Sequence, residues 1–150
     1  GEDDDGGESG TAPQVRYPST KVKLGACPEG AALDVVRALA DGTPARGDAN
    51  RLWTFGDALS FAAHVVQLGG NTSALEYVEE PLRRRPDASV GEHLGELEAL
   101  AAATGLPYAL DETAAELAAS YAPADTDALL AELRAHLAHC DGCAAVVLKP

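Results

Sequence analysis

The stretch Ala74-Leu-Glu-Tyr-Val-Glu-Glu-Pro81 decides the fold. Leu75, Tyr77 and Val78 give a short run of β-favouring surface, and Pro81, with no N–H to offer a ladder, stops it. Two carboxylates, Glu79 and Glu80, stand where such a strand must end. A carboxylate in that place packs poorly and holds a cation well. Four other places repeat the pattern of a short strand-like run with charge at or near its C-terminal end.

Upstream, Thr20-Lys-Val-Lys-Leu24 alternates and stops at Gly25, as a strand does. Residues 29–40 carry Ala32, Leu33, Val36 and Leu39 at helical spacing. Ala45-Arg-Gly-Asp-Ala49 is a weaker strand candidate, because its composition is poorly apolar. Residues 55–68 predict a helix with Ala58, Phe61, Ala62, Val65 and Leu68 on one face, ended by Gly69-Gly70. Downstream, residues 82–90 read as a solvated loop and 91–104 as a helix with Leu94, Leu97, Leu100 and Ala101 inward. Pro107-Tyr-Ala-Leu110 predicts a short strand that ends at Asp111-Glu112. Helical stretches follow at 114–120 and 126–139, then a turn at 140–143 and a strand at 144–148 that ends at Lys149-Pro150.

Five strand–helix alternations with short connections predict an α/β fold with parallel strands and crossover helices, either a doubly wound sheet or a (β/α)-barrel. In a barrel, chemistry collects at the C-terminal strand ends, which is where the charges fall. Five units are too few to close an eight-stranded barrel. The expected organisation is an acidic tail or loop over residues 1–19 and a partial (β/α)-barrel over 20–150. The chain has no Met at all, so a piece of a longer polypeptide is expected.

At 150 residues and 46% hydrophobic content the chain can bury a real core. Its net charge of −13 argues against nucleic acid and anionic membrane surfaces as partners, since both select for basic patches. No apolar run approaches the roughly 20 residues of a membrane span. The first ten residues carry five acids and no apolar side chain, and nothing there has the pattern of a signal or transit peptide. Three cysteines without a secretion pattern fit a reducing compartment.

Lysine usage narrows the chemistry. Eight of the 11 basic residues are Arg, and the three lysines, Lys21, Lys23 and Lys149, all lie on or at the end of predicted strands. Arg stays charged, whereas a desolvated Lys can lose its proton and act as a base. Asp48, Glu79 and Asp111 lie at or near the ends of three successive strands. Converging carboxylates repel unless a cation holds them, and hard oxygen ligands with no His or Cys beside them favour Mg²⁺ over zinc. Taken singly, each acid reads better as a helix cap or a solvated loop residue; three on successive strands, bracketed by strand lysines, do not.

Five motifs then occur in order: Lys21-Val-Lys23; Asp48-Ala-Asn50 with Trp53; Tyr77-Val-Glu79-Glu80-Pro81; Leu110-Asp111-Glu112; and Val146-Val-Leu-Lys149-Pro150. Together they resemble the consecutive strand motifs of the enolase superfamily, in particular its muconate-lactonizing subgroup and, within that, the o-succinylbenzoate synthases. The insertions at 82–90 and 115–143 and the acidic N-terminal stretch resemble the synthase module of the multifunctional phylloquinone-pathway proteins of algae and plants. The resemblance implies an enzyme acting on a small carboxylate, with a capping domain, a first barrel strand and last strands supplied by the rest of the parent polypeptide. It implies Mg²⁺ held by Asp48, Glu79 and Asp111, with Glu79 rather than Glu80 in the place of the glutamate of the family's Glu-Gln-Pro motif. Lys23 would remove the proton α to the substrate carboxylate. Lys21 would help hold that carboxylate and keep Lys23 partly neutral by like-charge repulsion. Lys149 would face Lys23 across the substrate, as a cation over the π-system of a metal-stabilised enediolate. A cytoplasmic location follows for a bacterial protein and a chloroplast one for an algal or plant protein.

Other readings remain open. A dipeptide epimerase or muconate cycloisomerase shares the same acids and lysines, and a non-catalytic interaction domain could keep the motifs by descent. From another class, His139-Cys140-Asp-Gly-Cys143 offers half a zinc site or a redox pair, although Cys27 and the other histidines supply no matching half.

Overall fold

The computed structural model describes residues 18–147. The acidic segment 1–17 and Lys149, with residues 148 and 150, lie outside the described residues. Strands and helices alternate, with two helices between the last two strands: β1 (Thr20–Lys23), α1 (Pro28–Leu39), β2 (Ala45–Asp48), α2 (Phe55–Gln67), β3 (Leu75–Glu79), α3 (Val90–Thr104), β4 (Tyr108–Leu110), α4 (Glu112–Ala119), α5 (Thr126–His139) and β5 (Cys143–Val146). All strand pairs are parallel, and the sheet order is β1-β2-β3-β4-β5.

That order separates the two architectures left open by the sequence. A doubly wound sheet reverses its strand order part-way and puts helices on both faces. Here each crossover steps the same way, so the right-handed connection rule sets every helix on one face. The helices accordingly pack in series, α1 on α2, α2 on α3, α3 on α4 and α4 on α5. This is an open segment of a (β/α)-barrel.

Local chemistry accounts for the elements. Thr54 with Asp57 and Ser89 with Glu92 form capping boxes that satisfy the first N–H groups of α2 and α3. Gly105, at φ 68°, ends α3 in the left-handed conformation that glycine adopts without strain. Gly47 explains why β2 looks weak as a strand. A Cβ there would stand 2.7 Å from Leu24 Cδ1 and 3.1 Å from Val78 Cγ2, so these neighbouring side chains fill its place. In β3 the register slips by one residue between Ala45 and Arg46, which pairs with Tyr77. That bulge lets both Leu75 and Val78 reach the core and leaves Tyr77 and Glu79 on the opposite face. The core lies between sheet and helices. Trp53 is fully buried there, stacked at 4.7 Å on Phe61, with its indole N–H donated to Gly25 O at 3.0 Å. Cys143 both closes the preceding turn, through its N–H to Cys140 O at 3.3 Å, and opens β5 one residue earlier than the spacing predicts, with its side chain in the core. No helix among the described residues is long and apolar enough to cross a membrane.

Candidate functional site

Strand alternation sends neighbouring residues to opposite faces, and the helix-free face is polar. Lys21 and Lys23 share it on β1, Asp48 lies on it at the end of β2, and Glu79 at the end of β3. The register sets Lys23 beside Asp48 and Asp48 beside Glu79. The four side chains form one chain of contacts. Lys23 Nζ donates to Asp48 Oδ2 at 2.5 Å, and Lys21 Nζ lies 3.1 Å from the same oxygen and 2.8 Å from Glu79 Oε2. Both carboxylate side chains are 8% exposed, beneath lysines that are 48% and 68% exposed.

The electrostatics follow from that placement. The hydrogen bond to Glu79 and the pairing with Asp48 hold the Lys21 amine more strongly protonated than usual, against the cost of its partial burial. Burial works to raise the Asp48 carboxyl, but the two lysines outweigh it and hold Asp48 below the usual carboxylate range. Lys21 thus occupies the bridging position between two hard anionic oxygens on adjacent strands. A divalent cation makes the same bridge, so the donor set fits a hard metal. The third acid of the set, Asp111, follows β4 directly. It lies two residues beyond Ala109, the register partner of Glu79, and hence about 6.6 Å farther along the strand direction. Among the described residues, no three His, Cys, Asp or Glu side chains stand close enough together to hold a metal as placed. Asp48, Glu79, Lys21 and Lys23 are therefore brought together, Asp111 stands at the next level of the same strand ends, and Lys149 lies outside the described residues.

Glu80 takes no part on that face. It is fully buried on the helix side, where its carboxylate accepts from Asp111 N at 2.9 Å, Thr113 N at 2.8 Å and Thr113 Oγ1 at 3.0 Å, with Arg51 Nε at 3.3 Å. Burial alone would raise its pKa, but His93, the two backbone N–H groups and Arg51 bring it down to about 2. The geometry thus separates the two adjacent glutamates, with Glu79 on the open face and Glu80 in the structure behind it. Sequence reasoning missed Arg51, Thr113 and His93, which surround Glu80, and Glu116, which holds Arg51. The available signal was parity: Glu80 shares its face with Val78, and a charge sent to the core side needs partners.

The cysteine motif builds something different. Cys140 Sγ lies 3.2 Å from His136 Nδ1, while Cys143 Sγ points to Ala145 O at 3.7 Å. Burial pushes both thiols up, Cys143 to about 11, the opposite of what a reactive or metal-binding thiolate requires. Tyr108 links this corner to α3, donating to Glu98 Oε1 at 2.6 Å with His136 Nε2 at 3.1 Å.

No protein-family model matches the chain, and no curated protein does. Several solved structures are similar to it over part of their length. The o-succinylbenzoate synthase of Thermosynechococcus elongatus BP-1, which has magnesium in its active site, is 28% identical over 64% of this chain and 28% of its own, at a TM-score of 0.48. The muconate cycloisomerase of Pseudomonas fluorescens is 24% identical over 65% of this chain and 25% of its own, at 0.47. A mandelate racemase/muconate lactonizing enzyme of Bordetella bronchiseptica RB50 is 31% identical over 64% of this chain and 24% of its own, at 0.45. The chain spans about a quarter of the length of these proteins.

Proposed function

We propose that this chain is part of a Mg²⁺-dependent enzyme of the enolase superfamily that removes a proton α to a carboxylate, and that its reaction is the dehydration carried out by o-succinylbenzoate synthases. The observation that carries this reading is the pairing of Asp48 with Glu79 at adjacent strand ends, bridged by Lys21 and flanked by Lys23. Two carboxylates side by side on an open polar face are poor structural elements and good cation ligands. Asp111 completes the set from the next strand end. The five sequence motifs supply the order in which acids and lysines occur.

A proton next to a carboxylate is far too weakly acidic for an amine to remove in water. Mg²⁺ held by Asp48, Glu79 and Asp111 would stabilise the negative charge that develops on the substrate carboxylate as the proton leaves. The remaining work falls to the chain's own amines. Lys23 Nζ takes the α-proton and returns it, on the same side of the substrate, to the departing hydroxyl. Lys21, on the same face, would supply positive charge beside the substrate carboxylate. Lys149 keeps the opposing position that its motif implies. The remaining barrel strands and a cap over the substrate belong to the rest of the parent polypeptide.

The test is Lys23→Arg in the natural full-length polypeptide. Arginine retains the charge and cannot serve as a base, so turnover is expected to disappear while Mg²⁺ binding persists. Retained turnover removes Lys23 as the base. Exchange of the substrate α-proton with deuterated solvent, without net dehydration, assigns the neighbouring chemistry of an epimerase instead.

A further inference from the structure

Three non-glycine residues among those described adopt left-handed backbone: Asn50 at φ 49°, Arg51 at 56° and Glu80 at 40°. All three stand within three residues of Asp48 or Glu79. Such conformations are strained and persist only where the surroundings over-determine them. The surroundings here are each other. Arg51 N donates to Glu80 O at 2.9 Å, and its guanidinium Nε reaches Glu80 Oε2 at 3.3 Å. The rest of the guanidinium fork donates to Glu116 Oε1 at 2.5 Å and to Thr113 Oγ1 at 2.7 Å. Glu80 Oε1 then takes the main-chain N–H of Asp111 itself and that of Thr113.

We propose that Glu80 and Arg51 are positioning residues whose clasp ties the C-terminal ends of β2, β3 and β4 together and so sets the spacing of Asp48, Glu79 and Asp111. The inference rests on the proposed role of those three carboxylates as cation ligands. Neither residue touches that face. Arg51 follows Asp48 by three residues, Glu80 follows Glu79 by one, and the Glu80 carboxylate grips the amide of the third acid. Each tie therefore fixes the backbone that aims one ligand. The two carboxylate oxygens divide the grip: Oε1 meets the two main-chain donors, and Oε2 meets the Thr113 hydroxyl and Arg51, with His93 Nε2 at 3.6 Å. An amide oxygen would keep the two main-chain bonds to Asp111 and Thr113 and lose the charge that holds Arg51.

The experiment is an Mn²⁺ titration, followed by electron paramagnetic resonance, of the natural full-length polypeptide and its variants. Circular dichroism verifies folding, and hydrogen exchange is read at the Asp111 and Thr113 amides. Removing an outer partner of a metal ligand weakens metal binding by about 10- to 100-fold. Glu80→Ala is expected to do so and to speed exchange at both amides, and Glu80→Gln to recover most of the affinity and the protection. Arg51→Met is expected to weaken Mn²⁺ several-fold. Should Glu80→Ala not fold, Glu80→Gln and Arg51→Met decide the matter: parent affinity in both overturns the proposal, and weakened binding by folded Arg51→Met supports it. A folded Glu80→Ala with parent affinity, alongside an Asp48→Asn that loses Mn²⁺, overturns the clasp and leaves the carboxylate site standing. Unchanged affinity in both Asp48→Asn and Asp111→Asn removes the site, and the clasp's role falls with it.

Discussion

Lys21→Met probes the bridge between Asp48 and Glu79 most directly. Methionine keeps roughly the length and apolar stem of lysine and removes the ammonium. Asp48 retains Lys23 at 2.5 Å, so its loss is partial. Glu79, 8% exposed, loses the ammonium at 2.8 Å. Breaking a fully buried pair costs about 3–5 kcal/mol and an exposed pair about 0–1. With one partner buried and the other half exposed, the loss falls near 2 kcal/mol. In urea unfolding with a chelator present, the variant should therefore show a lower midpoint at unchanged slope. The cation test follows. A ligand at about 100 times its dissociation constant stabilises by about 2.7 kcal/mol. In the parent, Mg²⁺ must displace Lys21 from the two oxygens, and part of that stabilisation is lost. In the variant nothing has to leave, so saturating Mg²⁺ should close most of the gap between the two proteins. A gap that persists undiminished in Mg²⁺ would show that lysine and cation do not share a position. No gap in chelator would show that the bridge contributes nothing.

Two further outcomes concern the opposite end of the sheet. A Cβ added at Gly142 would overlap Ala101 Cβ and crowd Glu98 Oε1 and Tyr108 Cε1 at 3.2 Å each; Gly142→Ala should therefore destabilise by about 1–3 kcal/mol in urea, and a parent-like midpoint would contradict that packing. Burial lowers the His136 pKa against the opposing pull of Glu98 and Glu132, so the unfolded chain takes up the proton more readily than the folded one. Stability from this group is complete above the ordinary value of 6.5 and is lost as pH falls below it toward the lower folded value. The urea midpoint should drop as pH falls below 6.5, and by less in His136→Gln; equal slopes in the two proteins would exclude His136 as the source.

Much of the fold was legible because period and punctuation agreed. Gly25, Gly69-Gly70 and Pro81 bounded runs whose interiors had one clear period, and the helices formed within a residue or two of the spacing that predicts them. The sheet order was less legible, since alternation alone permits two architectures and only the pairing distinguishes them. β2 was legible as a weak strand for a reason that local propensity cannot state. Its glycine is there because Leu24, just past β1, and Val78, on β3, fill the space of a side chain. In the site, the charges at strand ends were visible, but their partners were not. That Lys21 bridges Asp48 and Glu79 depends on a register between segments 58 residues apart in sequence. The Tyr108–Glu98 and Tyr108–His136 contacts are tertiary in the same sense, joining a strand to two helices that spacing treats as independent.

Glu79 and Glu80 show why composition at a strand end understates what the end does. They are chemically identical and adjacent, yet Glu79 ends β3 on the polar face while Glu80, just past the strand at φ 40°, is buried on the core side. On the polar side, Glu79 meets a half-exposed ammonium, which the proposed cation would replace. On the core side, Glu80 meets two main-chain N–H groups and a guanidinium fixed by Thr113 and Glu116, none of which can be exchanged for solvent without leaving a buried charge. The first arrangement is suited to binding and release, the second to holding geometry. Inverting this pair of environments by a one-residue slip would bury the exchangeable carboxylate and expose the clasp. The bulge in β3 at the Ala45/Arg46 register shift therefore matters twice, because it sets which glutamate faces which side as well as which apolar residues reach the core.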